Sequence, residues 1–272
     1  LGAIAGSGLT AGLAGVLGLL PLLLVSAALL EGATWCAGWL ARRRGMRVRA
    51  PDAGMREEAQ AEGLRGGGTW GGLIGVARSP YLAAICLYVL VLTVGSTFLY
   101  FEQARIVSEA FESREARARA FATIDVLAQT LTALLQAFVA GRLIRKIGVG
   151  WALALLPLVT IAGFGALMFA PTLVVIVAVQ TLRRATNHAI ARPARETLFT
   201  VVRREDKYKA KNVIDTFVYR GGDALSAGVY KAMQSLSGAA LWTGGATIAL
   251  SVAWVGLSLW LGKRSSAGAS AR

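Results

Sequence analysis

Charge is what this sequence has least of. Asp, Glu, Lys and Arg make up 16 % of its 272 residues, where a soluble domain carries about a quarter. Apolar residues reach 55 %, with 32 glycines besides, so a soluble fold would lack the polar residues to cover its surface. Cysteine is nearly absent: Cys36 and Cys86 each lie inside an apolar run, which excludes a disulfide scaffold and gives no metal-ligand spacing. Histidine is reduced to His188, and a lone imidazole without an evident partner reads as structural rather than as a proton relay. No GxxxxGK[ST], HExxH or GxSxG pattern occurs, so the common phosphate loop, zinc helix and nucleophile elbow are all missing. Neither an enzyme nor a cofactor or metal is expected. The chain opens at Leu1 inside an apolar stretch with no charged n-region or cleavage site, which is not a signal peptide. The expectation is that its natural N-terminal part is missing.

What the sequence has is long apolar runs, and a bilayer-spanning helix needs about 20 such residues. Eight runs qualify: 2–19, 22–40, 81–100, 121–140, 151–169, 173–190, 213–233 and 240–261. Pro21, Pro80, Pro171 and Pro193 fall at run ends, as helix punctuation requires. Pro157 falls inside a run and should kink it. The polar stretch 41–79, with Arg42-Arg43-Arg44 and Gly66-Gly67-Gly68, reads as a linker with at most a short helix over 55–64. The expected fold class is an all-α integral membrane protein of about eight transmembrane helices.

The formal charge of +14 would point a soluble domain toward nucleic acid. Here the basic residues fall between apolar runs, so topology explains them and no nucleic-acid partner is expected. With the 41–79 linker inside, 24 of the 29 Lys and Arg residues fall on the cytoplasmic side. The outer connection 101–120 holds Arg105, Arg114, Arg117 and Arg119 beside Glu102, Glu109, Glu112 and Glu115. The C-terminus is therefore expected in the cytoplasm. Six runs behind a long linker and two further runs match the layout of a major facilitator carrier from its fifth helix onward. On that layout, residues 1–40 are the last two helices of an N-terminal half, 41–79 the linker, and 80–272 the C-terminal half with a cytoplasmic tail. The N-terminal half of the same carrier is then the first partner. Gly2, Gly6, Gly8, Gly12, Gly15 and Gly18 supply small residues at the spacing that lets membrane helices approach. The segment from Gly141 to Gly148 resembles the superfamily's short cytoplasmic loop motif, with Arg145 at its usual Asp position.

Charged residues inside apolar runs are costly and mark pathways or partners. Glu31, Asp125, Asp215, Arg220 and Asp223 are such residues. Asp125 shares a helical face with Gln129 and Gln136, forming a polar stripe. Asp215, Tyr219 and Asp223 are four residues apart on another face. Arg220 is placed to pair with Asp223, and Gly221-Gly222 is expected to weaken the helix there. The stretch 183–211 carries nine basic residues against Glu196, Glu205 and Asp206. As a cytoplasmic loop it would gather anionic solutes or bind anionic lipid headgroups.

Within this stretch, Arg192-Pro193-Ala194-Arg195-Glu196-Thr197 resembles the Asp-Pro-Thr-Lys-Glu-Met element of the ATP/ADP translocases of plastids and intracellular bacteria. Lys207-Tyr208-Lys209-Ala210-Lys211-Asn212-Val213-Ile214-Asp215 is similar to that family's Lys-rich run ending in Ile-Asp. The resemblance implies a twelve-helix nucleotide carrier in a bacterial inner membrane, with Arg195, Glu196, Lys209, Lys211 and Asp215 in substrate contact. Arg192 stands where the family has Asp, Arg195 where it has Lys, and Asp223 where a Lys follows the glycine. The function expected is secondary transport of a small, anionic, nucleotide-like or other metabolite by alternating access. The alternative is a non-transporting membrane scaffold or sensor on a carrier-like fold. The residues expected at the substrate are Asp125, Gln129, Arg195, Glu196, Lys209, Lys211, Asp215, Arg220 and Asp223.

Overall fold

A computed structural model describes residues 2–13, 19–43, 76, 78–202, 204–235 and 239–270. The linker features expected over 55–64 and 66–68 lie outside the described residues. Among the described residues all regular structure is helical. The elements are α1 (Gly2–Leu13), α2 (Leu19–Arg43), α3 (Pro80–Ala110), α4 (Arg114–Leu135) and α5 (Gly141–Phe169), then α6 (Leu173–Thr186), α7 (Arg192–Leu198), α8 (Arg204–Val213), α9 (Tyr219–Gln234) and α10 (Ala239–Ser270). Single π-helical turns, Gln136–Ala140, Asn187–Ala191 and Ile214–Val218, join α4 to α5, α6 to α7 and α8 to α9.

Helix starts follow local sequence. The Ser79 side chain accepts the Leu82 N–H with Pro80 in the first turn. Ser113 accepts from Ala116 at 3.1 Å, and Thr172 accepts from Val175. Each satisfies an N–H that the helix itself leaves without a partner. The connection expected over 101–120 is correspondingly short, because α3 continues to Ala110 and α4 begins at Arg114.

Among the described residues four helical stretches are long and apolar enough to cross a membrane: Pro21–Arg43, Pro80–Ala110, Arg114–Phe169 and Leu241–Ala267. The third would measure about 84 Å if straight, against a hydrocarbon core of about 30 Å. Gly148 divides it, with φ 79° and ψ 167° inside an otherwise helical backbone. Only glycine takes that φ without a steric penalty. Pro157, the expected kink, is buried within α5, and the non-helical residue in that helix is Gly148 rather than Pro157. The expected runs near 173–190 and 213–233 are helical too, but charged and hydroxyl-bearing residues interrupt their apolar character.

Most of the stretch 183–211 is helix rather than loop. Arg183 and Arg184 end α6, and helix continues through the π turn and α7 as far as Leu198. Arg183 is buried, Arg184 pairs with Asp125 of α4 and Arg192 is exposed, and most of the loop expected there is helix instead. Pro193 explains the π turn: it has no N–H for the carbonyl of Ala189, and the turn before it widens.

Two apolar clusters hold the helices together. One centres on the fully buried Trp254 of α10, edge-on to Tyr88 of α3 at 5.2 Å. The Tyr88 hydroxyl donates to the Leu153 carbonyl of α5 at 3.3 Å. The other joins Phe98, Leu99 and Ile106 of α3 to Phe164, Ile176 and Tyr230. α5 and α10 approach closely where Gly150 meets Gly262. Small residues allow this contact, as they do between membrane helices generally. α1 packs along α4, while α2 presents Trp35, Trp39 and Leu23 as exposed apolar side chains.

Candidate functional site

Polar residues recur along α6 and its continuation at helical spacing: Gln180, Arg183 and Arg184, Asn187 and His188, Arg192, then Arg195. A three-to-four-residue period puts them on one face. That face lines two adjoining cavities of about 690 and 790 Å³, which share Ser96, Asn187, His188 and Asp223. α3 and α9 line both cavities, α4 borders the first, and Lys211 of α8 reaches the second. The three π turns among the described residues adjoin these lining helices. π turns concentrate where helices are adapted to function.

At the first cavity Arg184 of α6 is ion-paired with Asp125 of α4. Phe121, Tyr100 and Phe101 form an aromatic wall beside them, with successive ring centroids about 6 Å apart. Arg183 is 4 % exposed. Its Nε donates to Thr160 Oγ1 at 3.1 Å, and its terminal nitrogens donate to Ser96 Oγ and the Leu92 carbonyl.

At the second cavity Lys211 Nζ donates to Glu196 Oε2 at 2.6 Å. Arg195 Nη1 donates to the Tyr219 hydroxyl at 2.8 Å, with its guanidinium 5.9 Å from the ring centre. Arg192, Arg220 and Asp215 line the same space without an ion pair among the described residues. Asp223 accepts from Thr97 Oγ1 at 3.0 Å.

The geometry gathers Asp125, Arg195, Glu196, Lys211, Asp215, Arg220 and Asp223 around one cleft. Three expectations change. Arg220 and Asp223 are not paired, because Asp223 turns to Thr97 of α3. Gly221-Gly222 does not break its helix; α9 runs through both, and the irregularity is the π turn before it. Gln129 is exposed and lines neither cavity. Its neighbour in the stripe, Gln136, instead donates to the His188 carbonyl at 3.2 Å and ties two π turns together. Lys209 lies on α8, and its side chain is outside the described residues. Glu31 is exposed on α2.

Sequence reasoning missed Arg183, Arg184, Asn187, His188 and Ser96 as cleft residues. Arg183, Arg184, Asn187 and His188 share a helical period that straddles the expected end of run 173–190 and the charged stretch 183–211, while Ser96 carries no signal within its apolar run. No protein-family model matches the chain, and no curated protein matches it.

Proposed function

We propose that this chain is the C-terminal part of a secondary transporter, translocase-like in type, that moves a small anionic metabolite by alternating access. One observation carries the reading. The cleft is lined by Arg183, Arg184, Arg192, Arg195, Lys211 and Arg220 against Asp125, Glu196, Asp215 and Asp223. Cations exceed carboxylates, so the field inside favours an anion. A structural ion-pair network has no need of this excess, since each surplus cation in a low-dielectric bundle is costly.

In this reading the bilayer surrounds the bundle, the cytoplasmic side carries the C-terminus, and an N-terminal half of the same carrier faces the cleft. The solute would sit between the halves near the membrane midplane, as in carriers built from repeats. The Arg195, Glu196 and Lys211 cluster forms one mouth, and Arg183 with Asp125 and Arg184 forms the deeper part. The resemblance to the ATP/ADP translocases favours a nucleotide-like solute and exchange.

The test is uptake of a labelled nucleotide and metabolite panel by the full-length protein in proteoliposomes. Saturable uptake of an anionic solute supports the reading. Absence of flux for every member, with correctly inserted protein, favours a non-transporting scaffold.

A further inference from the structure

Arg183 and Arg184 are consecutive, yet only one has a carboxylate. Arg184 is half-exposed and paired with Asp125. Arg183 is buried and has none among the described residues. Its acceptors are the hydroxyls of Thr160 and Ser96 and the carbonyl of Leu92, all neutral. Hydrogen bonding is nearly met, while the charge is not.

The guanidinium occupies a built socket. Gly95 stands against it, and a Cβ there would come within 3.2 Å of Nη2. Thr160 of α5 and Ser96 of α3 hold it from two sides. Guanidinium has five N–H donors in a fixed fork. Four contacts reach three acceptor atoms, with Ser96 Oγ shared between two nitrogens. Arg183 and Ser96 also line the cavity, so the socket opens on the space a solute would enter.

Resting on the transporter reading above, we propose that Arg183 is the anchor for an oxyanion group of the solute, a carboxylate or phosphate. The empty protein parks its fork on neutral acceptors. An entering oxyanion displaces Ser96 and completes both the charge balance and the fork, since charge-assisted bidentate contacts exceed neutral ones in strength. Arg184 cannot take this role because Asp125 already neutralises it.

The experiment uses the full-length protein in detergent, with thermal unfolding followed against sodium phosphate or sodium acetate at ionic strength fixed by sodium chloride. The expected result is a saturable rise in unfolding temperature with an oxyanion. Arg183→Gln should weaken the apparent affinity about tenfold or more, the worth of a charge-assisted hydrogen bond. Ser96→Ala removes the competing neutral acceptor and keeps the cation, so it should leave oxyanion affinity equal or tighter. If Arg183→Gln fails to fold, the Ser96→Ala result decides. Wild-type affinity in folded Arg183→Gln overturns the proposal, as does loss of oxyanion binding in folded Ser96→Ala or no oxyanion effect on the wild type. Uptake separates the two readings: transport surviving in Arg183→Gln removes the anchor and leaves the carrier, whereas wild-type oxyanion binding without transport of any solute keeps the anchor and removes the carrier.

Discussion

Arg184 of α6 reaches across the cleft to Asp125 of α4 and ties the two helices by an ion pair whose side chains are 42 % and 45 % exposed. Half-exposed pairs contribute only about 0–1 kcal/mol to stability. Asp125→Asn should therefore leave the unfolding temperature nearly unchanged. It also frees Arg184 and makes the cleft one unit more positive. Apparent KM for an anionic solute should fall about two- to fivefold, the effect of one charge some 8 Å away in a wet cleft. A rise in KM in well-folded protein would count against the electrostatic account of the site.

Arg195 and Tyr219 act together. The hydroxyl holds the guanidinium by hydrogen bond at 2.8 Å and the ring lies beneath it. Arg195→Ala should raise KM about tenfold with normal expression, because this residue is only partly buried. Tyr219→Phe keeps the ring and removes the acceptor, so its effect should be smaller, about two- to fivefold. The double variant should resemble Arg195→Ala alone, since both changes act on one group. Additive effects would show that Tyr219 contacts the solute independently.

Spacing on a helix is a poor guide to pairing, as Arg220 and Asp223 show. They are three residues apart, yet Asp223 accepts from Thr97 on a different helix. A double-mutant cycle on Arg220→Ala and Asp223→Ala should give a coupling within about 0.5 kcal/mol of zero. The cycle on Thr97→Val and Asp223→Ala should give about 1.5 kcal/mol or more, as for a hydrogen bond to a charged group. The reverse ranking, read from thermal unfolding, would restore the local pair.

Much of the fold is legible in the sequence because helix starts are local chemistry. Ser79-Pro80, Ser113 and Thr172 each open a helix where the apolar runs demand one. Asp125 and Asp223 were visible as polar residues in apolar surroundings. Arg183 was not, because a hydropathy window counts charge without regard to face. The period from Gln180 through Arg184 and His188 to Arg195 carries the missing information. Which carboxylate each arginine meets depends on neighbouring helices, so Asp125 with Arg184 and Thr97 with Asp223 required the tertiary structure. The π turns at 136–140 and 214–218 leave no mark comparable to Pro193.

Glu102 joins two side chains away from the cleft. Its Oε1 accepts from the Tyr230 hydroxyl at 3.1 Å, and Oε2 accepts from Arg105 Nε and Nη2 at 3.2 and 2.7 Å. Phe101 stacks on the Tyr230 ring at 4.8 Å, so the carboxylate fastens α3 to α9. Arg105 also reaches Glu109 at 3.0 Å, so it keeps a carboxylate when Glu102 is lost. Glu102→Ala should cost about 2 kcal/mol, below the usual cost of breaking a buried pair. Glu102→Gln retains an acceptor for Tyr230 and should cost about half as much. Equal losses for the two variants, measured by thermal unfolding, would mean that charge alone matters there.

The α5–α10 contact gives the last prediction, because it depends on the absence of two side chains. A Cβ at Gly262 would overlap the backbone of Gly150, and backbone cannot rotate away. A Cβ at Gly163 would meet Val179 Cγ1 at 2.5 Å, which is the tip of a side chain with other rotamers. Gly262→Ala must therefore push α10 off α5. That disturbs the packing of Trp254, farther along α10, on Tyr88 of α3. Overpacking of this kind costs about 1–3 kcal/mol when the structure can adjust, and a backbone clash belongs at or above the upper end. Gly163→Ala should fall at or below the lower end. Gly150→Ala should lie between them, since its added carbon would stand 3.2 Å from the Gly262 Cα. Thermal unfolding of the three variants in detergent should rank them Gly262→Ala, Gly150→Ala, Gly163→Ala, from least to most stable. A wild-type unfolding temperature for Gly262→Ala would mean that the two helices do not cross at these glycines.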